Sequence, residues 1–150
     1  MNERLSRSVN KYIPVPLPYV FEWLTDFRED DPQLTGSDST KTIHEKTPSR
    51  VIYTIEQVRG LEGPITTKYA VDIKPPDKWH YKSIGDDRDS VGDYSLYSDG
   101  DGTQIEMTFV TTYKNVPPPT VEEADHDSNE FWDKIISILV KDYREGKPSK

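Results

Sequence analysis

The sequence predicts an α+β fold: a curved antiparallel sheet of about six to seven strands, two short helices after the first strand, and a long C-terminal helix held against the sheet. Three observations predict it. The stretch Thr120–Tyr143 carries an apolar stripe over about half of a helix circumference, too wide for a helix lying on a surface. From Ser39 onward, runs of period-two alternation are separated by short turns, which means hairpins and antiparallel pairing. One face of those runs holds Tyr, Trp, Val, Ile, Met and Phe and the other Lys, Glu, Asp and Thr, so the sheet has one apolar face that needs a cover.

Leu5–Val15 reads as the first strand, with Leu5, Val9 and Ile13 apolar among polar neighbours. Pro16 and Pro18 suit the start and first turn of a helix, and Val20, Phe21, Leu24 and Phe27 supply its stripe, with Trp23 alongside. Residues 29–36 hold a second short helical turn, broken by Pro32 and closed by Gly36. Thr40–Thr47 is a weakly patterned strand that Pro48 ends. Ser49–Arg59 alternates cleanly, with Val51, Tyr53, Ile55 and Gln57 on one face. Leu61-Glu62-Gly63 then fits a three-residue hairpin loop with a positive φ at Gly63. That register sets Gln57 opposite Thr67, Ile55 opposite Tyr69 and Tyr53 opposite Val71, and makes Glu56–Lys68 a cross-strand charge pair.

In Ile65–Lys74 the residues Ile65, Thr67, Tyr69, Val71 and Ile73 point inward. After the turn Pro75-Pro76-Asp77, Lys78–Gly85 turns Trp79, Tyr81 and Ser83 inward and Lys78, His80 and Lys82 outward. An acidic turn, Asp86–Asp89, leads to the last hairpin, Ser90–Ser98 with Thr103–Asn115. Gly100 at its first turn position fits type II′. Leu96 then pairs with Ile105, Tyr94 with Met107, and Gly92 lies beside Phe109, where it allows a close approach by a helix or ligand or marks a bulge. Thr111 and Tyr113 continue the inward row. The prolines 117–119 stop the strand, and Thr120 with Glu123 fits a capping box. Glu122, Asp125 and Asp127 suit the positive end of the helix dipole. Val121, Ala124, Phe131, Trp132, Ile135, Leu139 and Tyr143 lie within the apolar half. Ser128 and Asp142 intrude on it, either as a core filler and a rim residue or as contacts to a bound polar group.

The 150 residues suit one domain, 1–150, with a core of its own. There is no cysteine, hence no disulfide or thiol chemistry. No apolar stretch approaches the ~20 residues of a membrane span, and MNERLSRSV has no apolar signal core, so a cytoplasmic protein without integral membrane association is expected. A net charge of −8 argues against nucleic acid as a partner. Nine Tyr, three Trp and four Phe in a chain only 33% hydrophobic mean a core built on aromatics.

The segment SVNKYIPVPLPYVFEWLTDF (residues 8–27), a strand ending in Pro that leads into a helix with Val20-Phe21, Leu24 and Thr25-Asp26, carries a further signal. So does the Phe131-Trp132 helix after its Pro-rich lead-in. With these, nearly the whole chain resembles the START/Bet v 1-like superfamily (SRPBCC, or helix-grip), in its polyketide cyclase and lipid-transport branch. The resemblance is one of fold. It implies a cavity between the curled sheet and the long helix for a lipid-like or polyketide-like molecule. Some members transport or sense such molecules, others cyclise or dehydrate them, and some are co-chaperone-like. No catalytic motif of the family maps onto the chain.

The residues themselves favour binding over catalysis. His80 points outward, His126 falls on the polar arc of the helix, and His44 sits in the weakly patterned strand. None has a partner at zinc-ligand spacing. Glu122 and His126, at i and i+4, are a helix start and no metal site. Asp99 and Asp101 form a hairpin turn, since Val110 stands where a calcium loop needs an acid. No metal or cofactor is expected, and no inward carboxylate or histidine is well placed for acid–base work. The inward polar set is Gln57, Thr67, Tyr69, Tyr81, Ser83, Tyr94 and Thr111, with Tyr53 beside it. The expected ligand-binding residues are Tyr53, Gln57, Thr67, Tyr69, Trp79 and Tyr81 from the central strands, together with Tyr94, Met107, Phe109, Ser128, Trp132 and Ile135. Gln57 and Thr67 would orient the ligand. The alternatives are a cyclase or dehydratase working through cavity tyrosine hydroxyls, and an acidic protein–protein adaptor with a filled core. Monomer and weak dimer are both open.

Overall fold

The computed structural model describes residues 3–58, 64–114 and 116–147. The order is β1 (Glu3–Ile13), α1 (Leu17–Thr25), α2 (Asp31–Leu34), β2 (Thr40–Lys46), β3 (Arg50–Val58), β4 (Pro64–Lys74), β5 (Lys78–Gly85), β6 (Arg88–Asp99), β7 (Gly102–Tyr113) and α3 (Val121–Arg144). The strands form one seven-stranded antiparallel sheet in the order β1-β7-β6-β5-β4-β3-β2. The sheet is curved around α3, as the apolar face and the apolar helix half require.

The sheet registers follow from the turns. Gly100 has φ +61°, and the two-residue turn pairs Leu96 with Ile105 and Tyr94 with Met107, as expected. Gly92 faces Phe109, but its bareness serves a different neighbour. A Cβ there would run into the ring of Tyr81, which pairs with Gly92 across β5 and β6. The glycine therefore makes room for an inward tyrosine and marks no bulge.

The β3–β4 register differs from expectation by two residues. Tyr53 faces Tyr69, Ile55 faces Thr67, Gln57 faces Ile65, and Lys68 faces Thr54 instead of Glu56. The described pairing runs to Val58 and Pro64. The expected loop at Leu61-Glu62-Gly63 lies outside the described residues. The Tyr53 and Tyr69 rings stack at 4.8 Å and 11°, a cross-strand pairing in place of the expected charge pair. A slip of two preserves the side-chain period, so the inward row is unchanged.

Two local patterns also read differently in three dimensions. In β2 the pairing skips His44 between Ile43 and Glu45, and this bulge resets the alternation that made the strand hard to read. Pro32 lies in the first turn of α2, where its missing N–H costs nothing, so it opens the helix instead of breaking it. Gly36, at φ +80°, follows that turn.

The capping box of α3 forms: Glu123 N–H donates to Thr120 Oγ1 at 3.1 Å, and Thr120 N–H donates to Glu123 Oε1 at 3.0 Å. Ala124, Trp132 and Leu139 are buried, whereas Val121, Phe131 and Tyr143 are 56%, 48% and 40% exposed. The covered stripe is thus narrower than the sequence suggests. Ion pairs from β1 flank the covered stripe, Arg7 to Asp125 at 3.0 Å and Lys11 to Asp133 at 3.1 Å. At the other end, Trp23 Nε1 donates to Asp142 Oδ2 at 3.0 Å, which makes Asp142 a rim residue joining α1 to α3. Ile13, Leu96, Ile105, Met107 and Leu139 are fully buried at the centre.

Candidate functional site

Two lobes open between the sheet and α3, and Gln57, Thr67 and Tyr69 line both. The first, about 400 Å³, lies under α1 and α2. Its walls are mainly apolar, with Leu24, Phe27, Ile55, Trp132 and Ile135, and Phe131 stands there with part of its ring in solvent. The second, about 350 Å³, is polar: Arg7, Tyr81, Ser83, Ser90, Thr111 and Ser128 face it. Alternation places the strand residues, since each lies on the inward row of its strand. Ser128 reaches the second lobe from the first turns of α3.

Of the residues expected to bind, Gln57, Thr67, Tyr69, Tyr81, Ser128, Trp132 and Ile135 therefore come together around this space. Tyr53, Trp79, Tyr94, Met107 and Phe109 line neither lobe. Trp79 and Met107 are packed core, 5% and 0% exposed. Phe21 of α1 meets Trp79 edge-on at 6.0 Å, and Tyr94 stacks on Trp79 at 4.8 Å, so no gap is left there. Tyr53 lies behind Tyr69. Phe109 carries the Arg7 guanidinium over its ring at 5.7 Å. These five support the walls.

The tyrosine hydroxyls stay protonated well above neutral pH. Burial pushes Tyr69 up to about 12. It pushes Tyr53 and Tyr94 well above their ordinary value, and raises Tyr81 against the opposing hydrogen bond to Ser90. Tyr81 Oη and Ser90 Oγ lie 2.9 Å apart, and Ser90 Oγ and Thr111 Oγ1 3.2 Å, which joins β5, β6 and β7 in one hydroxyl chain. Among the described residues the Tyr69 hydroxyl has no hydrogen-bond partner. These groups can donate protons in hydrogen bonds; they are not bases at neutral pH.

Two cations on the inward rows are absent from the sequence-based set. Arg7 lies between Leu5 and Val9 on β1, and its side chain is only 13% exposed. Nε donates to Asp125 Oδ1, while Nη2 is buried with no acceptor among the described residues. Lys41 shares its row with Ile43, at 7% exposure. Its ammonium is 2.7 Å from Asp31 Oδ2 and 4.4 Å from the Tyr53 ring centroid. Burial lowers its pKa, and the Asp31 hydrogen bond works in the other direction. The signal for both was the parity of the strand, which residue type obscured.

Carboxylates also reach the walls, contrary to expectation. Asp26 and Asp31 border the apolar lobe, and Asp87 and Asp127 the polar one. They come from the α1–α2 connection, α2, the β5–β6 turn and the start of α3, where strand alternation gives no direction. Asp87 accepts from Arg88 at 3.1 and 3.2 Å. The three histidines line neither lobe: His44 bonds Thr54, His80 bonds Asp93 at 2.8 Å, and His126 pairs forward with Glu130 rather than back with Glu122. Among the described residues no group of three His, Asp or Glu could hold a metal, and no helix is long and apolar enough to cross a membrane.

No family model matches the chain, and no curated protein matches its sequence. Solved structures match in shape. The Zhui aromatase/cyclase from Streptomyces sp. R1128 superposes with a TM-score of 0.73 at 13% identity, over 94% of this chain and 96% of that one. Ara h 8.0201 gives 0.70 at 15% identity, over 93% and 99%. The di-domain ARO/CYC StfQ from the steffimycin biosynthetic pathway gives 0.66 at 12% identity, over 95% of this chain and 52% of that one. At such identities the likeness is one of fold. A seven-stranded antiparallel sheet closed on a long C-terminal helix, matched over nearly its whole length, gives this chain the START/Bet v 1-like, helix-grip fold.

Proposed function

We propose that the chain binds a hydrophobic or amphipathic small molecule, lipid-like or polyketide-like, between the sheet and α3, with Gln57 and Thr67 orienting it. The observation that carries this reading is the pair of lobes, about 400 and 350 Å³, that share Gln57, Thr67 and Tyr69. Each is within the size range of small-molecule sites, which are mostly apolar with a few converging polar groups. The apolar lobe suits a hydrocarbon or ring body, and the polar lobe suits its oxygen-bearing end. The test is native mass spectrometry of the purified protein, followed by denaturing extraction. A stoichiometric apolar molecule supports the reading and gives its chemical class. A protein that carries nothing and gains no thermal stability from a panel of lipids and polyketides is instead an adaptor with an idle interior.

A second reading is a cyclase or dehydratase. The Tyr69 hydroxyl favours it, being protonated and without a partner among the described residues, because such a group can polarise a carbonyl. Turnover lost in Tyr69→Phe with ligand affinity kept would support it.

A further inference from the structure

We infer that Arg7 fixes the polar end of the ligand, and that the group it takes is an uncharged acceptor oxygen, a ketone, ester or amide carbonyl, in preference to a carboxylate. This rests on the binding reading above and deepens it.

The guanidinium is held on three sides. Nε donates to Asp125, the plane lies over Phe109, and β1 places the stem on the inward row. Its Nη2 is a buried N–H donor with no acceptor among the described residues, on a group that lines the polar lobe. Buried donors are almost always satisfied, because leaving one unpaired costs the hydrogen bond it made to water. An unpaired donor on a cavity wall therefore points to something that enters the cavity. The Tyr69 hydroxyl, on the same lobe and without a partner among the described residues, is a second donor facing that space.

The charges then select the acceptor. Two cations, Arg7 and Arg88, face the lobe, and each already has a carboxylate, Asp125 and Asp87. Asp127 is the second carboxylate on the wall beside Asp87, while Asp125 pairs with Arg7 from outside the lobe. The two cations and two carboxylates on the wall already balance, and Arg7 is matched in addition by Asp125. A carboxylate entering there would lose its hydration and find no cation left unmatched. A carbonyl oxygen would satisfy Nη2 and the tyrosine without adding charge. From that anchor the body of the molecule passes Gln57 and Thr67 into the apolar lobe.

The test uses four medium-chain compounds of one length: an alkane, a methyl ketone, a primary alcohol and a fatty acid at neutral pH. Affinities are measured by calorimetry for the wild-type chain, Arg7→Met, and Arg7→Met with Asp125→Asn, which removes the charge that Arg7→Met would strand. The wild-type chain should bind the ketone about tenfold more tightly than the alkane or the acid, the value of one hydrogen bond from a charged donor. Both variants should lose that preference, with circular dichroism spectra matching the wild-type chain to show that they are folded. Equal affinity for ketone and alkane, or a preference for the acid, overturns the inference about Arg7 and leaves the binding reading standing. No binding of any of the four overturns both.

Discussion

Replacing Tyr69 by Phe should flatten the alkaline side of the stability profile. Burial holds the Tyr69 proton up to about 12, against an ordinary value of 10.0. Between those values the unfolded chain has released the proton and the folded chain has kept it. The unfolded state therefore binds fewer protons, and stability falls as pH rises. The contribution is fully present below pH 10 and is lost as pH climbs through about 12. Two units at 1.36 kcal/mol each set a ceiling of about 2.7 kcal/mol. Urea unfolding of the wild-type chain and Tyr69→Phe across this range isolates the contribution of this hydroxyl, because Tyr53, Tyr81 and Tyr94 are present in both proteins. The wild-type free energy should fall more steeply, by about 2 kcal/mol more than that of the variant. Tyrosinate absorbance of the folded proteins should show one late-ionising group fewer in the variant. Parallel profiles would refute the reasoning: the hydroxyl would then be freely hydrated, and neither a protonated donor in the cavity nor its proposed use would survive.

Two further outcomes follow from the packing. Leu139→Ala, at a site with no exposure beneath α3, should cost about 2–5 kcal/mol in urea unfolding, because the sheet and helix cannot collapse onto the gap. Gly92→Ala should cost about 1–3 kcal/mol by driving a methyl group into the Tyr81 ring. Adding Tyr81→Ala should cancel most of that strain, so a double-mutant cycle would read strong coupling.

The legible parts of the chain were those where neighbouring residues alone decide the outcome. A two-residue turn with Gly100 leaves one register for β6 and β7, and the capping box at Thr120 fixes the start of α3. In β3–β4 the attractive Glu56–Lys68 pairing misplaced the register by one period, because the stacked Tyr53 and Tyr69 rings outweigh it. For the site, alternation says which face a residue takes but not how deep it lies. Trp79 and Tyr81 occupy the same row, yet one is sealed by Phe21 and Tyr94 while the other borders a cavity. Arg7 and Lys41 were concealed by the habit of sending charges outward, although parity placed them inside. Asp31 and Asp87 point inward from short connecting segments, whose directions exist only once the strands are in place.

The position of β1 governs the order of assembly. Among the described residues its one neighbour in the sheet is β7, with Glu3 opposite Tyr113 and Ile13 opposite Thr103, so these pairs span most of the chain. Strands β2 to β7 can be laid down hairpin by hairpin, each closing a short loop, whereas β1 must wait until the last of them exists. On a ribosome β1 leaves the tunnel ahead of the other six strands and docks after them. Any pause before β7 would hold Val9, Ile13 and the apolar side of α1 in water together, and that interval is when the chain has most need of a chaperone.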